Sequence, residues 1–284
     1  MKRTFLQRCA AAPHLVWCAL FIIAPLFFVA YYAFTDSSGA FSTENIQRFF
    51  TAEYLSILLN SVCLALIATV VCLIIAYPLA YIISRMGDKG QRMMMLLIMI
   101  PLWMNFLITT YSWMTILQDT GIINSILSFF GLGTLNMINT PGAIVVGMVF
   151  CYLPYMVLPI YSVMAGIDKS LLEASRDLGC GALGQLTGVI MPMSVSGVVS
   201  GITMVFVPSI STFYISQKLG GGKIQLIGDS IESQFISYNN YHFGAALSLV
   251  LMILILISTA IMNYFTDDGE KGREKRDTQW RALK

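Results

Sequence analysis

Long apolar stretches separated by short polar segments dominate this chain of 284 residues, of which 57% are hydrophobic and 11% charged. About 20 consecutive apolar residues suffice for a helix to cross a bilayer. Six stretches contain no Asp, Glu, Lys or Arg, and the short alternating segments of a β-barrel are not visible. The pattern predicts an all-α membrane protein with six transmembrane helices. They are Leu15–Phe34, Leu55–Ile83, Met93–Leu117, Ala143–Met164, Met193–Ser216 and Phe243–Phe265.

The distribution of Lys and Arg predicts how these helices are oriented. Six spans place both termini on one side, and 14 of the 17 Lys and Arg residues fall on that side. Because basic residues concentrate in cytoplasmic loops, both termini are expected to be cytoplasmic. The net charge of +2 is then a topology signal and requires no nucleic-acid partner. The first apolar run exceeds the core of a signal peptide, so we expect it to be retained as a helix.

Several kinds of chemistry are excluded by what the chain lacks. It has only two histidines, His14 and His242, and its six cysteines form no C-x-x-C pair, so we expect no metal site and read the cysteines as small packing residues. Gly220–Lys223 resembles the end of a phosphate-binding loop, but Gln217 replaces the first glycine and Ile224 the Ser or Thr. We therefore expect a non-enzymatic protein without cofactors. Because no span holds Asp, Glu, Lys or Arg, its energy should come from a partner, or its transport should be passive.

The longest polar interruption on the predicted cytoplasmic side covers residues 168–192. Ser170 and Glu173 have the spacing of a capping box, which predicts a short helix over Leu171–Leu178. Gly179 suits a left-handed end to that helix, and the proline that closes the segment suits the start of the next span. The segment predicts a rigid short helix joined to two spans, although a well-made surface turn would carry some of the same signals.

This segment resembles the EAA loop of ABC-importer permeases. The residues that carry the resemblance are Glu173-Ala174-Ser175, Gly179 and Ile190-Met191-Pro192, with Ser175 in place of the second Ala and Met191 in place of Leu. The resemblance implies a type I importer permease (MetI-like) fold. In that family the loop forms a cytoplasmic coupling helix seated in a cleft of the ATPase. The residues that it assigns to ATPase coupling are Ser170, Glu173, Ala174, Ser175, Asp177, Gly179 and Pro192.

The likeness extends over nearly the whole chain to the permeases of spermidine/putrescine importers, the PotB type. The matching stretches are Pro101–Asn105, Leu171–Gly179, Gly220–Phe235 and Phe243–Ala246. The resemblance implies import of polyamines across the bacterial cytoplasmic membrane with two copies of an ABC ATPase, a second permease of the PotC type and an external polyamine-binding protein. The implied layout is a cytoplasmic N-terminus at 1–14, a first helix and outer loop at 15–54, a permease core at 55–265 with its EAA loop at 168–192, and a cytoplasmic tail at 266–284.

The predicted outward loops, 35–54, 118–142 and 217–242, have a composition that suits a cationic cargo. They carry six acidic and three basic residues, a formal charge of six minus three, or −3. A negative vestibule raises the local concentration of a polycation, and aromatic faces attract ammonium groups, although aromatic residues also belt membrane interfaces. Thr109 stands where the family resemblance leads us to expect a basic residue. The candidate path residues are Trp103, Asn105, Tyr111, Phe213 and Tyr214.

Three further patterns leave alternatives open. Gly121–Gly131 and Lys223–Phe235 have apolar residues near helical spacing, which predicts short amphipathic helices that either pack on the bundle or meet a partner. Gly197 and Gly201 form a G-x-x-x-G face, which lets two helices approach closely either inside the bundle or at a dimer seam.

Rival functions stay open as well. A permease for another small ligand, such as iron or thiamine, would share the EAA loop. A stand-alone channel or ion-coupled carrier would transport without an ATPase. A membrane enzyme or receptor subunit is a third reading, and it suffers from the absence of an acid–base constellation within any span.

Overall fold

The computed structural model describes residues 13–36 and 38–282, with side chains throughout except at positions 169, 263 and 265–282. The predicted basic N-terminus, with Lys2, Arg3 and Arg8, lies outside the described residues, and so does Cys9. The described chain is helical and holds one isolated antiparallel bridge, between Thr35 and Phe41. The all-α prediction is confirmed.

Twelve helices can be distinguished in residues 13–36 and 38–282. They are α1 Pro13–Ala33, α2 Glu44–Phe49, α3 Ala52–Ser84, α4 Asp88–Trp103, α5 Phe106–Leu117, α6 Ile122–Phe129, α7 Pro141–Ala165, α8 Lys169–Asp177, α9 Ala182–Ser211, α10 Tyr214–Leu219, α11 Ile227–Ile236 and α12 Tyr241–Ala282. Two of them contain a single π-helical turn, at Ala19–Ile23 in α1 and at Leu186–Ile190 in α9.

Five described helices are long and apolar enough to cross a membrane: α1, α3, α7, α9 and the part of α12 from Tyr241 to Met262. A sixth span exists only as the pair Asp88–Trp103 and Phe106–Phe129, which is bent by 93°. The expectation of one helix over Met93–Leu117 is therefore wrong. The backbone is extended at the break, and the Asn105 side chain accepts a hydrogen bond from the Leu107 N–H at 2.9 Å, so a new helix starts there.

The amphipathic segments are helical over shorter lengths than predicted. Gly121–Gly131 contains α6, Ile122–Phe129. Lys223–Phe235 forms a helix only from Ile227 onward, as α11. Gly221 and Gly222, which precede this segment, adopt left-handed conformations. At the other end of the chain, the backbone of the predicted tail continues α12 as far as Ala282.

The chain divides into two compact units, residues 1–57 with 230–254 and residues 58–229 with 255–284. In the first unit the Phe243 ring is fully buried. The Tyr54 ring meets it edge-on with centroids 4.9 Å apart, and the Arg48 guanidinium lies 4.5 Å from its centroid. One of the three basic residues of the predicted outward loops therefore packs on an aromatic side chain of its own unit.

The second unit has its core where α3, α7, α9 and α10 meet. Helix α7 begins where Thr140 accepts a hydrogen bond from the Ala143 N–H at 3.2 Å and Pro141 takes the first helical position, in which its missing N–H costs nothing. Fully buried core side chains from these helices include Cys72, Ile144, Met148, Met156, Ile160, Ile215 and Leu219.

The G-x-x-x-G face of α9 packs on α7 within this unit. A Cβ atom at Gly197 would lie 2.8 Å from the Pro159 carbonyl oxygen, and one at Gly201 would lie 2.7 Å from the Met156 sulfur. Small residues are required because the two backbones approach closely. Of the two alternatives, bundle interior and dimer seam, the structure supports the first.

The cysteines behave differently from one another. Cys72 is buried, and its thiol donates to the Val149 carbonyl at 3.8 Å, as expected of a small packing residue. Cys63 and Cys180 are exposed. The packing prediction is thus confirmed for Cys72 and wrong for these two.

Candidate functional site

Helix α8 is capped at its start by Asp168. The Asp168 carboxylate accepts a hydrogen bond from the Ser170 N–H at 2.9 Å, and this bond holds the pKa of Asp168 below its ordinary value. The expected capping box, with Ser170 as the cap, is therefore wrong, and the helix begins at Lys169 instead of Leu171. Both residue types cap helices well, and the residue with the extended backbone here is Asp168, with φ −60° and ψ 130°.

The end of α8 is a Schellman motif. Gly179 has φ +85°, its N–H donates to the Arg176 carbonyl at 2.8 Å, and the Cys180 N–H donates to the Ser175 carbonyl at 3.0 Å. The predicted left-handed glycine is confirmed. A Cβ atom at position 179 would meet nothing within 4 Å, so glycine is needed here for its backbone conformation and not for space.

Helix α8 presents one narrow face to its own unit and a wide one outward. Leu172 and Ser175, three positions apart, are buried. The outward face carries Glu173, Ala174 and Asp177 of the predicted coupling residues. It also carries the exposed Leu171, and the exposed Leu178 follows directly after the last helical residue.

Gln185, which no sequence pattern singled out, lies in the first turn of α9 and is 5% exposed. Its Nε2 donates to the Leu172 carbonyl at 2.7 Å and to the Ser175 Oγ at 2.8 Å. The Ser175 hydroxyl in turn donates to the Leu172 carbonyl at 2.8 Å. We call these three residues the Gln185 network. Its only sequence signal is an amide residue next to apolar and small residues.

Pro192 was predicted to open the fifth span, and this prediction is wrong because α9 already begins at Ala182. The π-helical turn Leu186–Ile190 precedes the proline, and the Met191 N–H donates to the Leu186 carbonyl five residues back. Proline lacks an N–H and its ring crowds the carbonyl four residues earlier. The wider turn lets the helix continue through this position.

Two of the candidate path residues, Tyr111 and Tyr214, come together. Their rings meet edge-on with centroids 6.3 Å apart, and Phe106 lies 6.2 Å from Tyr214. The Lys218 Nζ lies 5.4 Å from the Tyr111 centroid and 5.7 Å from that of Tyr214. We call these four residues the aromatic cluster. Phe213, which is partly exposed, directly precedes Tyr214 in the break between α9 and α10.

The other two candidate path residues have different surroundings. Trp103 is 85% exposed and lines an apolar groove of about 490 Å³ along α4. Asn105 uses its side-chain oxygen to cap α5. Thr109, where a basic residue was expected, is buried and donates to the Asn105 carbonyl at 3.1 Å.

One acidic residue counted in the negative vestibule is buried. Asp229 is 6% exposed, and its carboxylate accepts hydrogen bonds from the Ser216 hydroxyl at 2.9 Å and from the Leu226 N–H at 2.8 Å. Its charge holds the segment after α10 in place, and it does not face solvent. The sequence count of six acidic residues therefore overstates the charge that a cargo would meet.

Comparisons with known proteins bear on the identity of this fold. Among solved structures, a bacterial ABC transporter that imports the acidic polysaccharide alginate matches with a TM-score of 0.79 over 94% of this chain and 96% of its own, at 15% identity. The inward-facing MetNI methionine ABC transporter matches with a TM-score of 0.56 over 76% of this chain and 95% of its own, at 15% identity. At such identity the match shows the fold alone, which confirms the predicted importer-permease fold.

Curated relatives are more similar in sequence. The spermidine/putrescine transport system permease protein PotB of Haemophilus influenzae is 32% identical, over 88% of this chain and 91% of its own. PotB of Escherichia coli is 34% identical, over 84% of this chain and 90% of its own. Residues 73–268 match the family described as binding-protein-dependent transport system inner membrane component. The inferred resemblance and the reading as a non-enzymatic permease are confirmed: the chain belongs to the family of inner membrane components of binding-protein-dependent transport systems.

Proposed function

We propose that this permease carries polyamines of the spermidine/putrescine class into the cytoplasm, with energy supplied by a separate ATPase through α8. The cargo class rests on relatives named for spermidine and putrescine that are similar along more than four-fifths of the chain. The observation that carries the mechanism is α8 itself, a short helix stopped at both ends and joined by hydrogen bonds to the foot of α9.

Helix α8 has the properties of a docking surface that moves as a rigid body. Its exposed face combines Leu171 and Leu178, which offer apolar surface, with the charges of Glu173, Arg176 and Asp177. Its buried face is fixed to the second unit. A partner that grips the exposed face therefore moves the helix as a rigid body, and discrete rigid elements of this kind transmit conformational change between sites.

The proposed assembly follows from the family. It contains two copies of an ABC ATPase, a second permease of the PotC type and an external polyamine-binding protein. The likeness to the alginate importer, which was solved in complex with a pentasaccharide-bound periplasmic protein, supports such an assembly. Both termini are proposed to be cytoplasmic, because 14 of the 17 Lys and Arg residues fall on their predicted side. The same assignment puts α8 on the cytoplasmic side, where an ATPase can reach it.

The aromatic cluster is the proposed place where cargo ammonium groups meet the permease. Ring faces attract ammonium by about 0.5–2 kcal/mol, depending on how dry the site is. In this conformation the Lys218 ammonium already lies over both tyrosine rings. Cargo therefore has to displace Lys218, so this lysine weakens cargo binding until the cluster rearranges.

The test is reconstitution. The permease is co-purified with the neighbouring ATPase and second permease, placed in vesicles, and supplied with the binding protein, ATP and labelled spermidine. We expect uptake that requires ATP and the binding protein. Uptake without the ATPase would support a channel or carrier instead, and uptake stimulated only by an iron- or thiamine-binding protein would move the chain to another ligand class.

A further inference from the structure

The attachment of α8 to α9 is the feature that the proposed function leaves unexplained. Among the side chains of α8 that the structure describes, residues 170–177, Leu172 and Ser175 are the buried ones. The Leu172 side chain joins the hydrophobic core of the second unit. Apolar contact resists separation of the two helices but is not directional, so it does not by itself fix how α8 is rotated about its own axis.

Directional contacts come from the Gln185 network. A primary amide has two donor hydrogens, and Gln185 aims one at the Leu172 carbonyl and the other at the Ser175 hydroxyl. The hydroxyl donates its single hydrogen to the same carbonyl. Because all three residues are buried, losing one partner leaves polar groups without water to replace it, which is costly.

The network joins two helices with different tasks. Helix α8 carries the exposed face described above, whereas α9 packs backbone to backbone against α7 through Gly197 and Gly201. Gln185 is in the first turn of α9, ahead of the π-helical turn. A displacement of α8 is therefore passed to the first turn of α9 through the Gln185 network, in addition to the direct contact that the Leu172 side chain makes with the core.

We infer that Gln185 is a positioning residue for energy coupling: it fixes the rotation of α8 on the foot of α9, so that motion of α8 is converted into motion of the span. This inference rests on the proposed function of α8. It extends that function to a residue at a position that the EAA pattern leaves unspecified. It also gives a role to Ser175, where that pattern has an alanine without a hydroxyl.

The experiment measures ATP hydrolysed per spermidine imported by the reconstituted complex. Gln185→Leu keeps the size of the side chain and removes both donors. We expect the complex to assemble and hydrolyse ATP at near the normal rate while import falls about tenfold, as the loss of two buried hydrogen bonds suggests. Hydrolysis per imported molecule then rises by a similar factor.

Two further variants keep the test decisive. Thr187→Val is the matched control, because the exposed Thr187 hydroxyl donates only to the Leu183 carbonyl of its own helix, at 2.9 Å. For this variant we expect the normal amount of ATP hydrolysed per spermidine imported. Ser175→Ala removes one arm of the network and installs the residue of the family pattern. We expect a ratio raised about threefold, and no further rise when it is combined with Gln185→Leu, because neighbours that share one interaction are not additive.

Several outcomes would overturn the inference. One is a normal amount of ATP hydrolysed per spermidine imported in both Gln185→Leu and Ser175→Ala. Another is a parallel loss of hydrolysis and import, which would assign Gln185 to folding or assembly alone. Glu173→Lys in the same assay separates the two proposals. If this variant hydrolyses ATP and imports spermidine normally, α8 is not the docking element, and the proposed coupling through α8 fails whatever Gln185→Leu shows.

Discussion

The second unit contains two clusters built from opposite kinds of contact. Around α8, three buried residues are joined by hydrogen bonds of 2.7–2.8 Å, and the helix end is closed by backbone bonds of 2.8 and 3.0 Å. In the aromatic cluster, rings and an ammonium group lie 5.4–6.3 Å apart. The first set is short and directional, and the second is longer and tolerant of angle.

This difference matches what each cluster has to do in the proposed mechanism. An element that transmits motion must keep one geometry, and buried hydrogen-bond networks specify geometry well. A place that cargo crosses must bind weakly enough to release it. Ring faces that accept any ammonium group satisfy that need, because each contact contributes only about 0.5–2 kcal/mol. We therefore expect a substitution that changes the backbone geometry at the end of α8, such as Gly179→Asp, to have a larger effect than substitutions in the aromatic cluster.

The largest effect is expected for Gly179→Asp. Any side chain at φ +85° strains the backbone, by roughly 1–2 kcal/mol, and this one also adds charge to the proposed docking face. Uptake should be lost while the protein remains in the membrane, as measured by spermidine import and membrane fractionation. Gly181→Asp is the control, since Gly181 has an ordinary φ of −69° and equally open space. Normal uptake by Gly179→Asp would refute the coupling role.

A smaller effect is expected for Tyr214→Ala, which removes the ring shared by Phe106, Tyr111 and Lys218. Import should fall about fivefold to tenfold, the size of one or two lost ring contacts. Tyr214→Phe keeps the ring and should retain most of the import. If Tyr214→Ala imports as well as Tyr214→Phe, the aromatic cluster does not contact cargo.

A change of opposite sign is expected for Lys218→Met. Removing the ammonium that lies over Tyr111 and Tyr214 frees both rings, so the purified complex without binding protein should bind labelled spermidine about twofold to fivefold more tightly. Lys223→Met removes the same charge from an exposed position in the same predicted outward segment. Equal gains in the two variants would show that net charge, and not displacement of Lys218, controls binding.

The smallest effect is expected for Asp168→Ala, which removes the cap of α8 but not its other attachments. Import should fall less than about twofold, and Asp168→Asn, which still caps, should be normal. Because the pKa of Asp168 is lowered, its cap is present above the unfolded-state pKa of about 3.9 and is lost only as the pH falls through the folded-state value. A pH dependence of import between pH 5 and 8 that disappears in Asp168→Ala would contradict this.

The ends of α8 show where sequence rules succeed and where they stop. A glycine after a helical stretch predicts a left-handed position, and Gly179 has one. At the other end Asp168 and Ser170 are both good caps, and composition alone does not decide between them. The outcome depends on which residue the preceding chain holds extended, which is a tertiary property.

The third span and Gln185 were missed for different reasons. Hydropathy counts apolar residues and does not register a change in backbone direction. The 93° break was marked in the sequence by a capping residue, Asn105, and by Pro101 four residues before it, both inside an apolar run. Gln185 is a common residue type whose importance comes from two partners ten and thirteen positions earlier. Periodicity identifies the faces of one helix but not the pairing of polar groups between two helices.

The π-helical turn at Leu186–Ile190 changes the direction in which side chains before it point relative to those after it in α9. A bond that reaches back five residues instead of four holds one residue more than a regular turn, and each residue advances an α-helix by about 100°. The extra residue therefore shifts the direction in which Gln185 points, relative to Gly197 and Gly201, by about 100° from that of a regular helix. Deleting a single residue from this turn is therefore expected to rotate Gln185 by about 100° relative to Gly197 and Gly201.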